Sequence, residues 1–434
     1  MGRPFHLVIV GGGATGSIVL LKATSFPIPI QITILEPNPQ LGLGRAYSTR
    51  SLSHLLNVPT KKMAIFREKP EDFDQWVLSR EPRAQDSSAW PFVPRIWFGA
   101  YLKEKLKGIK TPYTHLQRTA KAITKSGGEF KITLGDGSVV SADGVVVATG
   151  FQETISPRVV KGKDTSAITT HVLQPYGAPD SSNDLQKIGT NDFVLIVGTG
   201  LTAIDVFRQL RSSSTLKNTQ IHFLSRRGLF PISHDLTPQT PVKGPLELEG
   251  VAPLESVKKL RSVQKEQSLS WVAIADHVRI QVQKIWKSWG APERKQFVRH
   301  LKPYWENIRH RIPPAVALEL GEYLKANPGR LHAGRIQSTE VEGDLLKVSY
   351  RDRHSLATED LWVNWIVLAN GAELSDALSL ENLQAENLSQ GSFWCVGPAS
   401  RDQFWEITSI PDIVPQLDDV IAEILEKARS YTGS

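Results

Sequence analysis

Cysteine is almost missing from this chain: Cys395 is the only one in 434 residues. One thiol allows no intramolecular disulfide, no Cys-x-x-Cys redox pair and no cysteine-rich zinc site. It lies in the apolar run Phe393-Trp394-Cys395-Val396, where it reads as a buried, inert thiol. Long apolar runs are missing too. No stretch of about eighteen apolar residues occurs, so no transmembrane segment is expected. The chain enters a strand pattern almost at once, without the segments of a signal peptide, and the expected location is the cytoplasm. Charge is not concentrated either. The net charge is +7, but the basic residues are dispersed, so nucleic acid is not an expected partner. No Ser–His–Asp set, metal-ligand cluster or paired carboxylate stands out.

What is present is glycine in order. Apolar content of 40% and charged content of 22% are those of a folded globular protein, and the length suggests two domains. The run Val8-Ile9-Val10 ends in Gly11-x-Gly13-x-x-Gly16, and an apolar helical pattern from Ile18 to Leu21 follows. Gly11 suits a tight turn, Gly13 lets backbone approach a pyrophosphate, and Gly16 lets the helix pack closely on the strand. The helix N-terminus adds unpaired N–H groups and a positive dipole end. A second strand, Gln31 to Leu35, ends in Glu36, about 20 residues on, where a carboxylate binds ribose hydroxyls.

Residues 37–47 are rich in turn formers. Asn57, inside the apolar loop His54-Leu55-Leu56-Asn57-Val58-Pro59, reads equally as a satisfied loop amide or as a donor to the polar edge of a flavin. Arg95, after Phe92-Val93-Pro94, is either a phosphate ligand or a surface residue. Phe130 to Leu134, a turn at Gly135-Asp136-Gly137 and Val139-Val140 form a hairpin pattern. Gly144 to Val147 reads as a buried parallel strand closing in Ala148-Thr149-Gly150.

A polar stretch from Gly162 to Asn191 marks a domain boundary. The opening motif then recurs: Phe193 to Val197, followed by Gly198-x-Gly200-x-x-Ala203. Its second strand, Ile221 to Leu224, ends in Ser225-Arg226-Arg227-Gly228 and not in an acid. Arginines there suit a 2′-phosphate and favour NADP over NAD. Residues 252–326 read as mostly helical and rich in tryptophan, a packing surface that also suits the wall of a substrate pocket. Arg309-His310-Arg311 reads as a solvated face. Trp365 to Gly371 repeats the apolar strand and small-residue close of Val145 to Gly150. An amphipathic helix after Pro415 is expected to pack on the first domain.

Together these residues resemble the two-dinucleotide-binding-domain flavoproteins, and among them the FAD-NAD(P)-binding family that includes amino-acid N-hydroxylases and a flavin-dependent urate hydroxylase. The resemblance is carried by Gly42-Leu43-Gly44-Arg45-Ala46-Tyr47, His54 to Pro59, Phe92 to Arg95, Gly198 to Asp205, Leu224 to Gly228, and Gly397-Pro398 with Phe404-Trp405-Glu406. Where the family carries a further arginine before a glutamine, this chain reads Pro411-Asp412-Ile413-Val414-Pro415-Gln416.

The resemblance implies an α/β fold of two Rossmann-like dinucleotide-binding domains, one for FAD and one for NADP, with a helical insertion in the second. The FAD domain is expected at residues 1–165 and 355–434, the NADP domain at 185–354, and the insertion at 252–326. FAD is expected on Gly11, Gly13, Ala14, Thr15, Gly16, Glu36, Arg45, Asn57, Gly150, Gly397 and Trp405. NADP(H) is expected on Gly198, Gly200, Leu201, Thr202, Ser225, Arg226 and Arg227. The implied activity is an NADPH-using monooxygenase that hydroxylates a small molecule, an amino acid or amine among them, with molecular oxygen through a C4a-hydroperoxyflavin. If the substrate is an amino acid, Arg95 and Arg401 are the cations for its carboxylate, on charge alone. Two other activities compete: an NADPH-dependent flavin reductase or oxidase, and a non-catalytic flavoprotein that senses redox state.

Overall fold

The computed structural model describes residues 3–87, 90–150, 164–175, 184–237, 239–370, 391–401 and 403–432. The strands, in chain order, are β1 (Phe5–Val10), β2 (Ile30–Leu35), β3 (Thr114–Leu116), β4 (Ala120–Ser126), β5 (Glu129–Leu134), β6 (Val139–Ala142), β7 (Gly144–Val147) and β8 (Val172–Leu173). They continue as β9 (Phe193–Val197), β10 (Gln220–Ser225), β11 (Leu331–Glu342), β12 (Leu345–Asp352), β13 (Thr358–Val363), β14 (Trp365–Leu368) and β15 (Phe393–Cys395).

The first sheet is parallel, in the order β15-β7-β1-β2-β3. Side chains alternate across it, as strand geometry requires. Leu7 and Ile9 of β1 join one core with Ile18, Leu20, Phe98 and Leu417. Val8 and Val10 join another with Phe130, Ile132 and Leu134. Helices Ala14–Ala23, Asp72–Arg80, Arg95–Lys107 and Ile410–Thr432 therefore cover one face, and the antiparallel sheet β4-β5-β6 covers the other. This double cover explains why β7 and the Leu7–Val10 run of β1 are apolar. The expected hairpin is β5 with β6.

The second sheet repeats the plan in the order β13-β12-β11-β10-β9-β14-β8. β11-β10-β9-β14-β8 are parallel, whereas β12 and β13 return antiparallel. Val194 and Ile196 face helices Leu201–Ser212 and Pro314–Ala326. Leu195 faces a core with Leu346, Val348 and Tyr350, so the antiparallel strands cover the other face.

These pairings move the expected boundaries. β8, at 172–173, and β13 and β14, at 358–368, are hydrogen-bonded into the second sheet, so its limits lie outside 185 and 354. Helix Pro314–Ala326 packs through Val316, Leu320 and Tyr323 on the second sheet, so the separate helical layer ends before it. That layer comprises Pro253–Glu266, Trp271–Ser288, Ala291–His300 and Lys302–Arg309, around a core of Ile274, Ile285, Trp286, Trp289 and Phe297. The Ser270 hydroxyl caps its long helix by accepting from the Ala273 N–H at 3.0 Å. The C-terminal helix starts at Ile410, five residues before Pro415, and packs in the first core as expected. Cys395 is half-buried, not fully buried: it ends β15, which among the described residues has a strand neighbour on one side only. Gly371 and, in the polar stretch, residues 162–163 and 176–183 lie outside the described residues.

Candidate functional site: two glycine turns and the joint between them

The first glycine turn is built by exclusion of side chains. Gly11 holds φ at +102°, and a Cβ there would lie 2.6 Å from the Ala148 carbonyl oxygen. A Cβ on Gly16 would lie 1.9 Å from the Gly11 carbonyl oxygen, which is the close helix packing the motif requires. Backbone bonds fix the turn on the sheet: Gly11 N–H donates to Leu35 O at 2.8 Å and Ala148 N–H to Val10 O at 2.8 Å. The helix then begins at Ala14 with no side-chain cap and no acid in its first turn, leaving the N-terminal end of Ala14, Thr15 and Gly16 suited to an anion.

Most of the expected FAD residues converge here. Glu36 accepts from the Gly12 N–H at 2.9 Å and the Asn38 N–H at 3.0 Å, which aims its carboxylate across the turn. Gly42 N–H donates to Gly12 O at 2.9 Å, and a Cβ on Gly13 would meet Gly44 at 3.3 Å, so the loop carrying Arg45 lies on the same turn. Gly397 arrives from the far end of the chain. With φ at +62°, a Cβ there would sit 2.9 Å from the Thr15 side chain. Gln416 clamps this second turn: its Oε1 accepts from Gly397 N–H at 2.8 Å and its Nε2 donates to Ser400 Oγ at 2.9 Å. Gly150, at φ +69°, follows the strand that leads into Ala148, and no described residue beyond its chain neighbours lies within 4 Å of its Cβ position.

Trp405 belongs to the helical layer. It is buried in the core of the helical layer, 4.9 Å from Trp286 in a stack and 5.0 Å edge-on from Phe297. Apolar burial against these two aromatic rings fixes its position.

The second glycine turn copies the first. Gly198 holds φ at +123°, and a Cβ there would lie 2.1 Å from the Ala369 carbonyl oxygen. Its N–H donates to Leu224 O at 2.9 Å, and Ala369 N–H donates to Val197 O at 2.8 Å. Gly200 has open space around it, and the helix carrying Leu201 and Thr202 again starts without a side-chain cap or an acid. Ser225 ties the neighbouring turn in place, accepting from Thr199 Oγ1 at 3.0 Å and from Gly228 N–H at 3.0 Å.

Of the two arginines, Arg226 is exposed. Arg227 is already engaged: it donates to Tyr304 Oη at 3.1 Å and to Arg299 O at 3.2 Å, with its guanidinium 4.8 Å from the Tyr304 ring centre. It thus caps the C-terminus of helix Ala291–His300. A cleft of about 490 Å³ opens beside Arg227 and Gly228. His332, Tyr350 and Glu359 of its wall form a bonded row, His332 meeting Tyr350 Oη at 2.8 Å and Tyr350 donating to Glu359 at 2.5 Å, and His222 joins the row behind the wall, 2.9 Å from His332. Desolvation, then the Arg330 charge, push His222 down to about 3, so the row is neutral at its histidine end.

Between the turns lies a joint that the sequence did not announce. Arg95 is neither a surface residue nor a free phosphate ligand: it pairs with Asp205 at 2.8 Å, with side-chain exposures of 14% and 5%. It also donates from Nε to Leu55 O at 3.0 Å. That engagement ties its guanidinium to both units. Asn57 lies at the same joint, its carbonyl 2.9 Å from His234 Nε2. Burial pushes His234 down to about 4, and its ring lies 4.7 Å from Phe92.

The helical layer is fastened by buried ions. Arg309 bonds Glu406 at 2.9 Å and Asp412 at 2.8 Å, Arg279 Nε bonds Asp412 at 3.1 Å, and Trp305 donates to Glu406. Glu406 holds φ at +65°, a costly conformation for a non-glycine residue. Desolvation raises its pKa above the ordinary carboxylate value, and Arg309 opposes that shift. Arg311 bonds Asp276 at 2.7 Å, and burial pushes His310 down to about 4. The expected solvated face at 309–311 is therefore a buried fastening. Three aligned basic residues gave no sign of carboxylates arriving from 276, 406 and 412.

No cluster of metal-ligand side chains and no helix long and apolar enough to cross a membrane occurs among the described residues.

Residues 8–152 match the model of the FAD-NAD(P)-binding family. No curated protein sequence matches. Among solved structures, the ornithine N-hydroxylase of Kutzneria sp. 744, with reduced FAD, NADP⁺ and L-ornithine, is similar over 98% of this chain and 100% of that one, at 14% identity and a TM-score of 0.66. The FAD-bound cadaverine monooxygenase of Erwinia amylovora is similar over 98% and 95%, at 11% identity and 0.64. The L-lysine 6-monooxygenase of Pseudomonas syringae is similar over 97% and 99%, at 15% identity and 0.60. At these identities the likeness is one of fold, and the fold is that of two-dinucleotide-binding-domain flavoproteins.

Proposed function

We propose that this protein is an FAD-dependent, NADPH-using monooxygenase that hydroxylates a small amine or amino acid with molecular oxygen. The observation that carries the reading is the pair of matching glycine turns, each pressed on an alanine carbonyl and each opening an uncapped helix. Only the second is followed by a basic turn. The first turn fits FAD: its cradle has no room for side chains, its helix offers free N–H groups to a pyrophosphate, and Glu36 faces the ribose position. The second fits NADPH, with Gly198, Gly200, Leu201, Thr202 and Ser225 below the phosphates and Arg226 and Arg227 at the 2′-phosphate.

In this reading β1–β7, β15 and the C-terminal helix form the FAD domain, and β8–β14 form the NADP domain. FAD supplies the redox chemistry and the activation of oxygen when bound. The chain orients it, holds the nucleotide beside it and excludes water, and the helical layer closes the site. Solved structures of similar fold act on ornithine, lysine and cadaverine, which directs the substrate choice to amines of that size.

The test is anaerobic mixing of the purified yellow protein with NADPH or NADH, followed by oxygen and a panel of those amines. Faster bleaching by NADPH with formation of a hydroxylamine supports the reading. NADPH oxidation that yields only hydrogen peroxide with every amine replaces it with a reductase or oxidase. A protein that retains no flavin overturns it.

A further inference from the structure

We infer that Arg95 and Asp205 are positioning residues that hold the flavin-edge loop and the nucleotide-binding helix in one register. The inference rests on the proposed function. Two motif residues far apart in sequence meet as a 2.8 Å ion pair with little exposure on either side. Arg95 is fixed to its own unit twice more: its backbone N–H donates to His54 O at 2.8 Å, and its Nε donates to Leu55 O at 3.0 Å. Leu55 stands two residues before Asn57, and Asp205 stands five residues after Gly200 on the helix that opens the second turn. The pair therefore joins the loop expected at one cofactor to the helix expected at the other.

A buried ion pair is a poor choice for stability alone, because desolvation offsets most of the Coulomb gain; its better attested use is to fix registry. An apolar joint tolerates sliding, whereas a carboxylate opposite a guanidinium does not. Parallel contacts agree with this role. Arg208, one turn along the same helix, donates to Ser53 O, and His234 meets the Asn57 carbonyl. The same loop is thus gripped at 53, 55 and 57. Transfer between two bound cofactors demands this kind of control, since a displacement of about 1 Å can cost about 100-fold in rate.

The experiment compares the FAD-loaded wild type with Asp205→Asn, Arg95→Lys and the charge-exchanged double variant Arg95→Asp with Asp205→Arg. Three quantities are measured: amide hydrogen exchange over 53–58 and 201–208, the affinity for 2′,5′-ADP, and the limiting rate of flavin bleaching at saturating NADPH. Asp205→Asn is expected to speed exchange in both segments and lower the limiting rate by about ten-fold or more, with 2′,5′-ADP affinity changed by less than about two-fold. Arg95→Lys, which keeps the charge, retains a higher rate than Asp205→Asn, and the charge exchange recovers exchange protection. Unchanged exchange and rate in Asp205→Asn overturn the inference alone. So does a rate loss matched by an equal loss of 2′,5′-ADP affinity, or one that both other variants share in full. A wild type that NADPH does not bleach overturns the functional reading together with it.

Discussion

The carbonyl oxygen of Ala369 lies 2.1 Å from the point where a side chain on Gly198 would begin. No side chain fits there, and at φ +123° none but glycine is at ease. Gly198→Ala is therefore expected to cost roughly 1–3 kcal/mol in backbone strain, with a further cost from displacing the end of β14. Thermal unfolding monitored by circular dichroism reads the loss.

Gly200 gives the opposite expectation. Its φ of −84° suits any residue, and nothing lies within 4 Å of its Cβ position. Gly200→Ala should leave the unfolding temperature unchanged and weaken 2′,5′-ADP or NADPH binding by about ten-fold, because the added methyl projects where the pyrophosphate approaches. Calorimetric titration beside the unfolding curve distinguishes the two glycines, and equal behaviour of both variants would refute the assignment.

The two arginines after β10 should also separate. Arg226→Ala is expected to weaken NADPH binding by about ten-fold and leave NADH binding unchanged, as the loss of one charge-assisted bond predicts. Arg227→Ala should do the same and, in addition, speed proteolysis of residues 291–304, since Arg227 caps Arg299 and lies over Tyr304. Limited proteolysis without nucleotide checks the second effect independently of the first.

Acid should loosen the joint. Burial lowers His234 and His310 from 6.5 to about 4, so between those values the unfolded chain binds more protons than the folded one. Stability then rises with pH in that window. The contribution is complete above pH 6.5 and is lost progressively as pH falls toward 4. Urea midpoints measured from pH 7.5 to 4.5 should decline, and His234→Gln should flatten part of the decline.

The ionic fastening of the helical layer makes a larger claim. Arg309→Met leaves Glu406 and Asp412 buried with less countercharge and should destabilise by about 3–5 kcal/mol, the range for removing one partner of a buried pair. A matched change, Arg309→Met with Glu406→Gln, should recover part of it. Urea unfolding of both variants supplies the comparison.

The two glycine turns were legible because their reasons are local: a strand, a forced φ and a helix start lie within about ten residues. Glu36 and the basic turn at 225–227 were legible for the same reason, each ending a strand next to its own glycine motif. Partnerships across the chain were not. Nothing near Arg95 names Asp205, and nothing near Arg309 names Glu406 or Asp412. Nor does anything near Trp405 name Trp286 and Phe297, the rings it packs against. The boundary at 354 failed because an antiparallel return, β12 to β13, hides the parallel strand β14 that follows it.

The pairing of β15 with β7 has a consequence for synthesis. The ribosome releases β1 and β7 early, but their sheet stays open at one edge until residues 393–395 emerge. Helix Ile410–Thr432, which covers Ile18 and Leu20, comes later still. Among the described residues, the strands of the second sheet end at residue 368. The growing chain therefore completes its middle before its beginning, and a message truncated after the second sheet yields an N-terminal half with an uncovered edge and an uncovered helix.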